Sequence, residues 1–424
     1  MNRRHPETGP RFALGLASLS LLVACGARSS LDDGSHAQAP GDAGTQGAGG
    51  GSTGGGGAGG GGGAGPTTFV SVACGGAHVC AVTSGGKVVC WGYGGRGQLG
   101  DGLATGFTKG PVVVGSIAGA TQVAAGGEHT CVLASGAVLC FGHDEYGQIG
   151  DGASGIGVDR PTPVAVALPE EATAIVAGGP HFGSGHSCAL GASGAVWCWG
   201  ANPGGQIGNG QTGFGALVSK PFHVTKLGGP AVALAAGGNH TCAIVAGGDV
   251  WCWGYDYSGQ IGDGNAGPDL KVPFPVKVVG LPDKAASIAA GDGQSCAVLA
   301  NGEVWCWGEG GFGAFGVGTP NQPFAKPVLA FPGAPVAAID QGAHHGCVAR
   351  TSGEVACAGL DDLGEVGSGK PGPFEIHGEP VAVGVSDAAA ISAGTTTTCA
   401  LRSFGALSCW GDWFGTTPAA ITLP

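Results

Sequence analysis

The 424 residues include 92 glycines but only 17 basic and 29 acidic side chains, giving a net charge of −12. So much glycine and so little charge exclude a protein built of long amphipathic helices. The acidic balance argues against a phosphate-neutralising surface, and so against nucleic-acid binding.

The chain begins with what reads as an export signal. Met1–Arg11 carries three arginines, and Phe12–Ala24 is an uncharged, mostly apolar stretch. It is shorter than the roughly 20 apolar residues that a membrane-spanning helix needs, but it suits the apolar region of a signal peptide. It ends in Leu22-Val23-Ala24-Cys25-Gly26, which resembles the lipobox of bacterial lipoproteins. That resemblance implies a signal peptide over 1–24 and lipidation of Cys25. Because Gly26 is not Asp, it also implies an outer-membrane anchor, with the chain on the periplasmic or cell-surface side. Residues 25–68 then read as a tether. The run 41–65 is almost wholly Gly, Ala, Ser and Thr and shows no apolar periodicity, so a flexible coil is expected. Its reach is about 35 Å by the flexible-chain estimate.

From residue 69 onward, cysteines mark a repeat. Fourteen of them form seven pairs: Cys80/Cys90, Cys131/Cys140, Cys188/Cys198, Cys242/Cys252, Cys296/Cys306, Cys347/Cys357 and Cys399/Cys409. Members of a pair lie ten positions apart, nine in the second pair, and successive pairs recur every 51–57 residues. Before each pair comes an apolar stretch ending in a glycine, usually doubled, as in Val123-Ala124-Ala125-Gly126-Gly127. Inside each lies a hairpin signal such as Asn301-Gly302, flanked by alternating apolar residues. After most pairs come Trp-Gly and a glycine loop such as Gly97-Gln98-Leu99-Gly100-Asp101-Gly102, then a Pro-led apolar stretch such as Pro163-Val164-Ala165-Val166. Each unit thus predicts four short strands in a meander, and seven units predict an all-β, seven-bladed propeller over 69–424.

These elements resemble the regulator of chromosome condensation repeat family, whose pattern runs Ala-Gly-x-x-His-Thr, Asp-Gly or Asn-Gly, Trp-Gly, Gly-Gln-Leu-Gly-x-Gly and Pro-x-x-Val. The resemblance implies the same seven-bladed propeller. Late repeats depart from it: Gln294 and Thr397 stand in the His slot, and the loop is degraded at Gly313-Ala314-Phe315-Gly316 and Gly364-Glu365-Val366-Gly367. Between Trp413 and Pro418 the loop is almost gone.

Each cysteine pair would face itself across a hairpin, at the Cα separation of about 4.5–5.5 Å that a disulfide tolerates. An oxidising compartment permits the bond, so one disulfide per blade is expected. The alternative is a set of buried thiols filling small core positions. Structural zinc is disfavoured by spacings longer than Cys-x₂₋₄-Cys. Cys74 is left over, in a slot that Ala125 and Ala236 fill.

His78, His129, His186, His240 and His345 recur at one slot in five of the seven repeats and read as structural, as do Trp91, Trp199, Trp253, Trp307 and Trp410, each following the second cysteine of its pair. Function is expected where repeats differ. The third repeat inserts residues around Gly179–Gly185, including His181 and Phe182. The candidate binding face comprises Tyr93, Arg96, Asp144, Glu145, Tyr146, Phe182, Tyr255, Asp256 and Tyr257. No Gly-x-Ser-x-Gly, His-Glu-x-x-His or phosphate-loop motif occurs in 69–424. The expectation is therefore a non-enzymatic module without cofactor or metal, monomeric, held at the membrane by its N-terminal lipid alone, and binding a protein or polysaccharide. The alternative is an envelope hydrolase or lyase using Asp144, Glu145 and Asp256 as converging carboxylates.

Overall fold

A computed structural model describes residues 68–180, 183–318 and 322–423. The signal segment, Cys25, the tether and Phe182 lie outside the described residues. Seven four-stranded antiparallel sheets follow one another, each drawing its four strands from one repeat. In the first, β1 (Phe69–Cys74), β2 (His78–Thr83), β3 (Val88–Gly94) and β4 (Thr105–Val113) pair in that order. The first strands of successive sheets touch around a ring, and that of the seventh touches that of the first. The sheets are therefore propeller blades, with first strands around a central channel and fourth strands outside. No blade borrows a strand from the other end of the chain, so closure rests on blade 7 packing against blade 1.

Burial explains the strand sequences. Second strands such as Cys242 with its neighbours His240–Val245 are buried along their whole length and read as near-continuous apolar runs. Fourth strands are half-exposed outer edges, and this is where proline is tolerated, because a missing N–H faces solvent. They begin earlier than the Pro-led stretches suggest, at Asp159 and Lys271, while Val166 and Val278 fall just past their ends. The register shifts opposite the Trp-Gly step, between Cys252 and Gly254 for example, and this bulge carries the pairing further along the strand.

The cysteines of each pair sit directly opposite each other on the second and third strands of one blade. Cys80 faces Cys90, Cys131 faces Cys140, Cys188 faces Cys198 and Cys242 faces Cys252. Cys296 faces Cys306, Cys347 faces Cys357 and Cys399 faces Cys409 in the same way. The sulfurs of all seven pairs are at bonding distance. The expected spacing needs correction, however. The Cα atoms are 4.0–4.1 Å apart in every pair, closer than the 4.5–5.5 Å that an ordinary antiparallel ladder gives. Placement also follows part of the alternative reading. Cys80, Cys131, Cys188, Cys242, Cys296, Cys347 and Cys399 on the second strands are fully buried, and so are Cys90, Cys140, Cys198, Cys252, Cys306, Cys357 and Cys409 on the third. They fill small core positions, but as paired sulfurs rather than as thiols. The nine-residue spacing of the second pair has a local cause: Ser135 and Gly136 are both left-handed, at φ 50° and 78°, and close a two-residue turn. Cys74 is the buried cysteine outside these pairs, and its N–H donates to Ser392 Oγ.

Two devices join blade to blade. Around the channel, glycines bring the first strands' ends into near contact. A Cβ on Gly178 would collide with the Gly237 carbonyl oxygen, and one on Gly394 with that of Gly75, where the ring closes. Further out runs a hydrogen-bond relay. The histidines His78, His129, His186, His240 and His345 each bring Nε2 within 2.8–2.9 Å of a hydroxyl of the next blade: Thr130, Ser187, Thr241, Ser295 and Thr398. Each hydroxyl donates its one hydrogen back to a loop carbonyl of the preceding blade, that of Gln98, Gln148, Gln206, Gln260 or Glu365. The histidine must therefore be the donor at Nε2. Burial, with neighbouring histidines adding to it, pushes His129 and His186 down to about 3, so both are neutral. The same carbonyls of Gln148, Gln206, Gln260 and Glu365 also accept the indole N–H of Trp199, Trp253, Trp307 and Trp410.

The departures in the late repeats now have a reason. Where Gln294 replaces the histidine, the next blade offers Gly346 in place of a hydroxyl, so the glutamine amide donates instead to the Gly342 and Ala343 carbonyls. At the same interface Ala358 replaces the tryptophan, and Phe315 of the degraded loop fills the vacated core beside it. Between blades 7 and 1, Thr397 replaces the histidine and Val79 the hydroxyl. The lost loop leaves Trp91 Nε1 without a hydrogen-bond partner among the described residues. Phe414 packs edge-on against its ring at 6.4 Å, and Trp413 packs on Phe107 at 5.0 Å.

Two outcomes follow. Ser187→Ala strands the buried His129 donor and should lower stability by about 1–3 kcal/mol, read as a shifted denaturant midpoint. Peptide mapping without reductant should return seven intrablade disulfides, and Cys242→Ala/Cys252→Ala should cost about 2–3 kcal/mol in the same assay.

Candidate binding face

In a four-stranded meander, the connections between strands one and two and between strands three and four emerge on one face. The described members of the predicted binding set all lie there, in blades 1, 2 and 4. Their chemistry differs sharply, however. Tyr93 and Tyr257 are exposed, and Arg96 pairs with Asp159 at 3.7 Å. Tyr255 donates to the Pro268 carbonyl at 2.7 Å and lies parallel to Tyr257, with ring centroids 6.4 Å apart. Tyr146 and Glu145 are half-buried beside the buried His143.

Asp144 and Asp256 do not belong to the accessible surface. Both are fully buried, and each holds its own loop: Asp144 Oδ1 accepts from Ile149 N, and Asp256 Oδ1 from Ile261 N. In blade 6 Asp361 does the same with Val366 N, and in blade 3 Asn202 does so with Ile207 N. The sequence showed acidic residues next to tyrosines in variable loops. What it hid is the five-residue reach to a backbone N–H, a repeated structural bond. These aspartates therefore do not converge with Glu145 on a catalytic centre. Nor do they line the central channel, a cavity of about 110 Å³ walled mostly by Gly and Ala. The channel's own carboxylates are Asp292 and Asp340, and Asp340 is tied to Ala393 N and Gln341 N.

One cluster went unread in the sequence. Glu128 Oε2 lies 3.5 Å from His143 Nδ1 and accepts from Gly183 N of the blade 3 insertion, while His143 Nε2 lies 3.5 Å from Glu145 Oε2. The insertion is thereby docked onto blade 2. Three loop tips were also passed over: Ile156, Phe214 and Phe374 stand out in solvent on this same face. Their signal was present, since an apolar residue flanked by glycines recurs in Gly155-Ile156-Gly157 and Gly213-Phe214-Gly215.

The Regulator of chromosome condensation (RCC1) repeat matches residues 69–98, 120–148, 231–260 and 285–314, and in a second description 85–133, 193–244 and 247–298. The chain carries RCC1 repeats. It is 32% identical over 255 residues to the RCC1 domain-containing protein RUG3, mitochondrial, of Arabidopsis thaliana, covering 59% of this chain and 56% of that one. The ultraviolet-B receptor UVR8 of the same plant is 30% identical over 255 residues, covering 58% and 54%. The human E3 ubiquitin-protein ligase HERC2 is 34% identical over 146 residues, which is 32% of this chain and 3% of the ligase. The chain thus spans little more than half of these relatives at most. Among solved structures, yeast RCC1 (Prp20) bound to Kap60 matches with a TM-score of 0.69 and 21% identity, covering 84% of each chain. Human WBSCR16 matches with a TM-score of 0.68 and 20% identity, covering 80% of this chain and 94% of that one. Both likenesses bear on the fold alone.

Burial raises Asp144 and Asp256 to about 7 each. A carboxyl raised on folding stabilises most below its unfolded pKa near 4, and that contribution is lost as pH climbs through 7. Asp144→Asn/Asp256→Asn, which copies the Asn202 of blade 3, should match the parent protein near pH 4. Between pH 5 and 8 it should gain on the parent, on the order of 1 kcal/mol per site, in denaturation midpoints taken across that range.

Proposed function

We propose that this chain is an exported, lipid-anchored, non-enzymatic propeller that binds a protein through the face carrying its one-to-two and three-to-four connections. RCC1-like propellers are protein-interaction scaffolds, and that coarser role is common to the family. The observation that carries the finer reading is the separation of roles within each blade. The repeated residues are consumed by blade-to-blade bonds, and Tyr93, Phe214, Tyr257 and Phe374, four of the six exposed aromatics among the described residues, stand on or beside the loops of one face. Export is supported by seven cysteine pairs at bonding distance, a framework that persists in oxidising compartments. Anchoring is supported by Leu22-Val23-Ala24-Cys25 after a basic and an apolar segment. Two or three acyl chains at roughly 0.8 kcal/mol per buried CH₂ hold such a protein stably.

Metabolic labelling with a fatty acid should mark the wild-type chain, and Cys25→Ser should lose the label and move to the soluble fraction. Tyr93→Ala/Tyr257→Ala should lower recovery of a cross-linked protein several-fold without changing sedimentation with cell-wall polysaccharide. Lost sedimentation with recovery unchanged would point to a glycan instead.

A further inference from the structure

The most exposed apolar residues of this face stand at its loop tips. Phe214 is fully exposed, and Ile156 and Phe374 are 92% and 81% exposed. Gly213 and Gly215 flank Phe214 with φ of 121° and 80°, and Gly155 and Gly157 flank Ile156 with 129° and 76°, so each loop turns its apolar side chain outward. Phe374 itself adopts φ 59°, a left-handed conformation that is costly for a bulky side chain and that tends to mark functional positions. Isolated exposed apolar residues are ordinary. Here three stand on one face of the ring, in blades 2, 3 and 6, held out by strained or glycine-hinged backbone.

Charge decides what kind of partner. The connections on this face hold fourteen carboxylate residues against two cations, Arg96 and Lys370. Those on the opposite face hold seven against three. Five of the fourteen are buried, namely Glu128, Asp144, Asp256, Asp361 and Glu365, and the others reach solvent. Asp263, Asp269, Asp362 and Glu375 belong to blades 4 and 6, while the blade 3 loop bearing Phe214 has no charge at all. Phe214 thus stands on an uncharged loop, while Phe374 stands directly beside Glu375 and Ile156 shares its loop with Glu145 and Asp151.

The first described residues, Thr68 and Phe69, mark where the chain enters the ring. Phe69 N donates to the Gly405 carbonyl and Ser84 N to that of Thr68, so the chain enters the ring among the strand-two-to-three hairpins. That is the face opposite the tips, and Phe404, 87% exposed, lies there.

We infer that Ile156, Phe214 and Phe374 dock a protein with a basic surface, with the surrounding carboxylates selecting it by charge. Complementary charge of this kind speeds encounter and rejects acidic surfaces. This rests on the protein-binding reading above and names its partner class. The test uses the full chain in envelope fractions, with a photo-crosslinking phenylalanine analogue replacing Phe214, Phe374 or Phe404 in turn. Adducts are expected from positions 214 and 374 and not from 404, through Lys- and Arg-rich peptides of the captured protein. Yield should fall several-fold when salt is raised, and also in Asp269→Lys/Asp362→Lys/Glu375→Lys. The opposite-face control Glu171→Lys/Asp283→Lys/Glu354→Lys should leave it unchanged. Adducts at 214 and 374 that ignore salt and charge reversal would overturn the basic partner and leave protein binding standing. Adducts at 404 alone, or at none of the three, would overturn both.

Discussion

Most of this ring depends on a main-chain carbonyl in the glycine loop of five of its seven blades, that of Gln98, Gln148, Gln206, Gln260 or Glu365. The carbonyl of Gln148 receives the Ser187 hydroxyl and the Trp199 indole of the following blade, and the Ser187 hydroxyl is in turn held by His129 of its own. A carbonyl has two lone pairs, and here both are filled by side chains from one neighbour. The bonds are buried, so leaving any member unmatched costs more than the bond itself contributes. This accounts for the way the parts are lost. At the interface of blades 5 and 6 and at that of blades 7 and 1, histidine and hydroxyl are missing together. Gln294 faces Gly346, and Thr397 stands where the next blade offers Val79. A relay missing one half would bury an unpaired donor. A relay missing both halves can be replaced by packing, as Phe315 does beside Ala358 and as Trp413 and Phe414 do beside Trp91.

The repeat, its period, the four-strand meander and the cysteine partners could all be read from spacing, because each is a local pattern of glycine, apolar alternation and hairpin chemistry. Residue types at His129 and Trp199 were legible as structural for the same reason. Their partners were not. Thr130 and Ser187 look like ordinary strand hydroxyls, and they acquire meaning only when the neighbouring blade is brought alongside, over fifty positions away in sequence. Asp144 and Asp256 misled for the converse reason. A carboxylate between aromatic residues in a variable loop looks solvent-facing, but the nearby Ile149 and Ile261 amides draw it inward. The exposed tips were legible in principle, since glycine on both sides of Ile156 and Phe214 is poor packing chemistry. What the sequence could not supply was which tips share a face.

That face shows a division of labour that the repeat makes possible. The loops that bear the carbonyls also continue outward into the variable segments, so one connection both locks the blade and presents its tip. Gly147 to Gly150 binds blade 2 to blade 3, and six residues later Ile156 stands free in solvent. The short distance between lock and tip limits how far the tip can wander, which keeps the ordering cost of binding small. The returning end of the blade 3 insertion is fastened as well: Glu128 of blade 2 accepts from Gly183 N, three residues before His186 opens the next strand.

Closure is where such a design is weakest. Many rings could be closed by lending a strand from one end of the chain to the last blade, but here every blade keeps its own four strands. Among the described residues, the seam between blades 7 and 1 has no His-hydroxyl relay and no glycine loop, and Trp91 Nε1 has no hydrogen-bond partner. What holds it is a continuous apolar cluster running from Phe69, Val72 and Trp91 through Leu401 and Leu407 to Phe414 and Ile421. Near the channel, the Gly394–Gly75 approach and the Thr395 N–Gly75 O bond complete the collar. Apolar packing is less directional than the relay, so this seam is set by shape and buried area rather than by bond geometry. The cysteine pairs, by contrast, constrain each blade internally and contribute nothing across a seam. A ring in which each sheet is stapled but the last joint is greasy should loosen first at that joint, as intact blades parting, while each four-stranded unit keeps its own register.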